Sequence, residues 1–109
     1  MLICQWHLDV PYGKLGGAVA VMKAWGAEKM SSSEFRRARG TRLLCGMLGA
    51  SASHMVDEYE FETLADFEAA LAGMSAPQFR QHSDALAAFV VPGSQHWLVF
   101  RVLDDHHFP

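Results

Sequence analysis

The chain predicts an α+β domain with the element order strand, helix, strand, strand, helix, strand. Three observations point there: period-two apolar alternation near both ends of the chain, two separate helical stripes between them, and a small-residue turn joining two central strand-like runs. That order is the split βαβ pattern. Its right-handed solution is a four-stranded antiparallel sheet in spatial order 4-1-3-2 with both helices on one face.

In the first strand Leu2, Cys4, Trp6, Leu8 and Val10 alternate with Ile3, Gln5, His7 and Asp9, until Pro11 and Gly13 end the run. From Leu15 onward Val19, Met22 and Trp25 fall at helical spacing, and the pattern frays towards Ser31-Ser-Ser, so a helix of about four turns follows. A polar connection bearing Arg36, Arg37 and Arg39 leads to two strands, Leu43 to Ala50 and Ser53 to Phe61, paired as a hairpin. Thr63 with Asp66 three residues later is a helix start, opening the stripe Leu64, Phe67 and Leu71. Pro77 interrupts that stripe; Phe79, His82, Leu86 and Phe89 resume it. After Pro92-Gly93 the last strand runs from Gln95 to Leu103. It carries His96, Leu98 and Phe100 on one face and Trp97, Val99 and Arg101 on the other.

Length fits one domain, residues 1–104, with 105–109 as an exposed flexible tail. Half of the residues are hydrophobic and only 19% are charged. One small core does not easily hide that much apolar surface, which points to an oligomer or a greasy ligand pocket. The sheet face away from the helices needs a cover, and a second copy supplies it, with Ile3 and Trp97 as contact residues. A formal net charge of −3 gives no basic footprint for nucleic acid. The first residues lack a basic, apolar leader and no window reaches a membrane-spanning length, so a cytoplasmic protein without a membrane partner is expected. Cys4 and Cys45 then stay reduced.

The stretch Val56-Asp-Glu-Tyr-Glu-Phe-Glu-Thr-Leu-Ala-Asp-Phe-Glu-Ala-Ala-Leu71, with Pro77-Gln-Phe-Arg-Gln-His82 and the aromatic last strand, resembles the dimeric α/β barrel superfamily. Within that superfamily it is similar to the RedY-like proteins of prodigiosin-type pyrrole pigment biosynthesis. The likeness is one of element order and spacing and covers nearly the whole chain. It implies ferredoxin-like subunits that join their sheets as a homodimer, and a small apolar or aromatic ligand between helices and sheet. The superfamily includes cofactor-independent monooxygenases, lactone isomerases, cyclases, haem-degrading enzymes and proteins with no known reaction, so the fold alone does not select a reaction.

The residues themselves place the polar groups. In the order 4-1-3-2 the C-terminal end of the first strand lies beside the N-terminal ends of the third and fourth. This gathers His7, His54 and His96 at one end of the sheet. Alternation divides them between faces: if Asp57, Tyr59, His96 and Phe100 look towards the helices, then His96, Asp57 and His82 line one apolar pocket with Trp6, while His7, His54 and Glu58 look towards the partner. The candidate acid–base residues are accordingly His54, His96, His82, Asp57 and His7, and the candidate ligand-binding residues are Trp6, Tyr12, Tyr59 and Trp97. A carboxylate beside an imidazole in an apolar site is the arrangement general acid–base chemistry uses.

Sharper motifs are missing. Gly13-Lys-Leu-Gly-Gly17 lacks the spacing of a nucleotide loop, neither cysteine has an adjacent base, and the histidines lack metal-ligand spacing. The expectation is a cofactor-independent, metal-free enzyme of small-molecule secondary metabolism. Its work would be cyclisation, isomerisation, condensation or oxygenation of an aromatic or apolar metabolite. The competing expectations are a non-catalytic ligand carrier and a dimeric scaffold.

Overall fold

The computed structural model describes residues 1–108; Pro109, the last residue of the expected tail, lies outside the described residues. The strands are β1 (Leu2–Asp9), β2 (Gly40–Cys45), β3 (His54–Phe61) and β4 (His96–Arg101), and the helices are α1 (Leu15–Ser32), α2 (Leu64–Ala72) and α3 (Arg80–Ala87). Single 3-10 turns occupy Glu34–Arg37, Gly73–Ser75 and Pro77–Phe79. All strand pairs are antiparallel and the sheet order is β2-β3-β1-β4, the expected order read from the other edge.

Two apolar clusters glue the helices to one sheet face. Met22 and Trp25 of α1 meet Leu8, Met55, Phe79 and Leu86; Phe35, Phe61 and Phe67 surround Cys4 and Tyr59. Each fully buried large side chain contributes roughly 1.5–3 kcal/mol relative to exposure. Phe35 reaches this core because Ser33 ends α1. The Ser33 hydroxyl donates to the Lys29 carbonyl at 2.7 Å and accepts the Phe35 N–H at 3.2 Å, turning the chain inward at once. At α2 the Thr63 hydroxyl accepts the Asp66 N–H at 3.2 Å, the cap the sequence carries.

The second strand differs from expectation. It spans Gly40–Cys45, not Leu43 to Ala50, because its ladder runs from the pair Gly40 and Glu60 to the pair Cys45 and Met55 and closes with the Gly46 N–H donating to the His54 carbonyl at 3.0 Å. The chain then folds back so tightly that a Cβ on Gly46 would lie 1.9 Å from the Ser51 carbonyl oxygen. Met47 and Leu48, whose apolar character mimics a strand, stand on a loop, each 95% exposed.

Strand register settles the faces. Trp6 pairs with Asp57 and Trp97, and His7 with Val56 and His96. Cys4, Trp6, Leu8, Met55, Asp57, Tyr59, Phe61, Leu43, Trp97 and Val99 therefore face the helices. Ile3, Gln5, His7, Asp9, His54, Val56, Glu58, Arg42, Leu44, His96, Leu98 and Phe100 share the opposite, open face. Two expectations are corrected by this register. His96, Leu98 and Phe100 do not look towards the helices, and Trp97 does not belong to the open face.

Candidate functional site

On the helix side, a cavity of about 180 Å³ opens between sheet and helices, walled by Trp6, Trp25, Trp97, Phe35, Leu71 and Met74, with Lys29 among the lining residues. Each wall has a local cause. Trp6 and Trp97 are cross-strand partners and stack at 6.3 Å between ring centroids; Trp25 of α1 meets Trp6 edge-on at 6.2 Å; Phe67 of α2 meets Trp97 edge-on at 5.1 Å. Offset and edge-on geometries are those the ring quadrupoles prefer.

Lys29 is the residue the pattern reading missed. Ala18, Met22, Trp25 and Lys29 form one buried stripe of α1, and Lys29 is only 3% exposed. Its ammonium donates to Asp57 Oδ2 at 3.1 Å and lies 4.7 Å from the Trp25 ring centroid, 5.1 Å from that of Phe35 and 5.2 Å from that of Tyr59. The Tyr59 hydroxyl donates to the same Asp57 oxygen at 2.6 Å. Burial lowers the Lys29 pKa, and the charge and hydrogen bond of Asp57 oppose that shift; the facing rings also favour the cation. Burial and then Asp57 push the Tyr59 phenol well above its ordinary range, so it remains a donor. A second cavity, of about 320 Å³, lies between α1 and β2 with Asp57 and Tyr59 on its wall beside Met22, Thr41 and Leu43. The Lys29, Asp57 and Tyr59 cluster thus stands between two spaces. One further group is notable: the Trp25 indole N–H is buried and has no hydrogen-bond partner.

The other expected site residues lie elsewhere. Tyr12 is fully exposed in a turn closed by the Lys14 N–H donating to the Pro11 carbonyl at 3.0 Å, with Gly13 at φ 78°, a conformation glycine adopts freely. It does not line the cavity. His82 leans on Trp25 from the far side, stacked at 6.1 Å, and bonds Glu28, so it backs the pocket wall without lining the cavity. His96 does not join Asp57 and His82, for the register reason given above. Cys4 is buried, and burial raises its thiol to about 11.

His7, His54 and His96 do converge, all on the open face. His7 and His54 ring centroids are 5.0 Å apart, and His96 stacks on His7 at 5.1 Å. A continuous polar chain runs through His54 and His7. Asp9 Oδ1 is 2.8 Å from His54 Nδ1, His54 Nε2 is 2.8 Å from His7 Nδ1, and His7 Nε2 is 2.8 Å from Gln5 Oε1. The Gln5 amide N–H then donates to Glu58 at 2.7 Å, and the Arg42 guanidinium donates to the other Glu58 oxygen. Burial works to raise the Glu58 carboxyl, but the bonds from Arg42 and Gln5 outweigh it and hold the group below its ordinary value. Among the described residues, no group of three or more His, Cys, Asp or Glu side chains is arranged to hold a metal ion, and no helix is long and apolar enough to cross a membrane.

No family model matches the chain, and no curated protein sequence matches it. Solved structures do. A NIPSNAP family protein from Agrobacterium tumefaciens superposes with a TM-score of 0.74 at 12% identity, covering 94% of this chain and 93% of that one. A putative antibiotic biosynthesis monooxygenase from Nitrosomonas europaea gives 0.65 at 13%, covering 95% and 100%. A mutant of SnoaB, a cofactor-independent oxygenase from Streptomyces nogalater, gives 0.63 at 20%, covering 95% and 94%. At these identities the likeness establishes the fold: the chain is a ferredoxin-like α+β domain of the kind found in antibiotic biosynthesis monooxygenases and NIPSNAP proteins.

Proposed function

We propose that the protein binds a flat apolar or aromatic metabolite bearing one acceptor oxygen in the tryptophan-walled cavity, and acts on it without a cofactor. The observation that carries this reading is the one charged donor beside an otherwise aromatic space: the buried Lys29 ammonium, held by Asp57. A phenolate or enolate oxygen meeting that ammonium would have its charge stabilised in a water-poor site, where such contacts are strongest. Isomerisation, cyclisation, condensation, or direct reaction of the stabilised carbanion with dioxygen all use such an anion. The names of the oxygenase-type structural relatives are in keeping with the last of these. We retain a likeness to the RedY-like proteins of pyrrole pigment biosynthesis as part of this proposal, with a second copy of the chain as the cover of the open face.

A second reading, a non-catalytic carrier, draws on one observation: among the described residues, the only titratable side chain lining this cavity is Lys29, the three clustered histidines being on the other face.

Both readings are tested by thermal shift with hydroxylated polycyclic aromatics and pyrrole-type compounds, each beside its parent ring lacking the oxygen. The expected result is a raised midpoint for the oxygen-bearing member only, since a ligand bound to the native state stabilises by mass action. Trp97→Ala should abolish the shift. Turnover of the bound compound in cofactor-free buffer favours the enzyme, and retention of unchanged compound favours the carrier. Equal shifts for the parent rings would remove Lys29 from the reading.

A further inference from the structure

The polar chain on the open face does not balance with neutral histidines. It has four links, from Asp9 to His54, His54 to His7, His7 to Gln5, and Gln5 to Glu58, and each needs one hydrogen. The ends are carboxylates that accept. Glu58 can only accept from Gln5, so the Gln5 amide presents its N–H to Glu58 and its oxygen to His7. His7 Nε2 must then carry a hydrogen, and His54 Nδ1 must carry one to reach Asp9. If both rings are neutral, His7 Nδ1 and His54 Nε2 face each other at 2.8 Å as two lone pairs. Gln5 fills one link, so the two rings must supply three hydrogens where two neutral imidazoles hold two.

We propose that His7 and His54 hold one extra proton between them, and that this proton offsets Asp9 on the open face where it docks against a second copy of the chain. The docking half rests on the reading above that a second copy covers this face. The groups facing the pair are Asp9 and Gln5 of β1, Glu58 of β3, His96 and Leu98 of β4, and Arg42 of β2, with Glu60 one rung further along. Asp9 offsets the shared proton, and Arg42, under the influence of both Glu58 and Glu60, offsets one of those two carboxylates; the His96 Nδ1–H donates to the Ser94 carbonyl at 3.1 Å. A two-fold interface lays a patch on its own copy, so any net charge meets itself, and near-neutrality is a condition for covering it. Around the polar chain stand Ile3, Leu44, Leu98 and Phe100, the last three 37%, 40% and 51% exposed, as apolar contact surface.

Two sites that interact this strongly titrate as a pair. The first proton is favoured by the contact with Asp9 and by completion of the chain. The second is resisted, because burial, His54 and His96 all hold the His7 imidazolium below the ordinary imidazole value. Above the first step the face carries an uncompensated Asp9, and below the second it carries two imidazoliums in contact. Association is therefore strongest between the two steps.

The test combines nitrogen-15 NMR of the histidine rings with sedimentation velocity, both on the full chain. The expected NMR result at pH 7 is three ring hydrogens over the four nitrogens of His7 and His54, with the first step lowered in Asp9→Asn, a substitution at an exposed position. Two neutral rings at pH 7 titrating independently near the ordinary value would overturn the proposal. In sedimentation, a dimer dissociation constant at least tenfold larger both above the first step and below the second supports the coupling, and a pH-independent dimer overturns it. A chain that is monomeric at every pH while NMR shows the shared proton overturns the docking reading and leaves the proton site standing.

Discussion

The two faces of this sheet use the same strands to opposite ends. On β1, Trp6 and His7 are neighbours in sequence, yet Trp6 enters an aromatic cavity under the helices while His7 joins a hydrogen-bonded chain on the open side. The helix side buries its charges as the single pair Lys29 and Asp57, at 4% and 9% side-chain exposure. The open side has its polar groups bond one another in series, with Glu58 at 4% exposure beside Arg42 at 66%. Apolar burial stabilises the first face, and the proposed association uses the second.

The sharpest way to break this contrast is one residue type on both faces. Phe35→Ala should cost about 3–5 kcal/mol in urea unfolding, the range for deleting a buried aromatic, since Phe35 is 0% exposed. Lys29→Met should cost about 3 kcal/mol, because it leaves the Asp57 charge buried without its counter-charge, with the Tyr59 hydroxyl as its remaining donor; Lys29→Met with Asp57→Asn should recover most of that loss. No recovery in the double variant would show that Lys29 contributes packing and not charge pairing. Acid reads the open face separately. The Glu58 carboxyl is held low in the folded state, so its contribution is complete above the ordinary carboxylate value and is lost as pH falls through the folded value; Glu58→Gln should flatten that part of a urea-midpoint profile. The smallest effect is expected for Phe100→Ser. With the side chain half exposed, it should change the unfolding free energy of a dilute sample by no more than about 0.5 kcal/mol. The same substitution should weaken any dimer.

Element order was readable because β1 and β3 alternate cleanly and Thr63 caps α2 with a side chain suited to the task. The gathering of His7, His54 and His96 at one end follows from that order alone. Their faces do not, because β4 is apolar on both sides: Leu98 and Phe100 are as fit for a core as Trp97 and Val99. Only the pairing of Trp6 with Trp97 decides between them, and pairing register is fixed by the geometry of distant connections. Lys29 escaped for a different reason. Lysine normally marks the wet side of a helix, but here it continues the stripe Ala18, Met22, Trp25, and its ammonium lies over aromatic rings. A lone charge in register with an apolar stripe, opposite a strand carrying Asp57, is the signal that would have found it. Tyr12 misled because an aromatic near a strand end suggests a pocket, whereas Pro11 and Gly13 make it the tip of a turn.

The chain has three tryptophans, and Trp6, Trp25 and Trp97 all line one cavity. Its whole indole emission therefore originates at a single place, from rings close enough to share excitation and with an ammonium against one of them. The molecule is in that sense its own optical reporter. Light absorbed anywhere by its tryptophans reports the occupancy, wetness and rigidity of that one space, while events confined to the open face stay dark unless they are transmitted through β1.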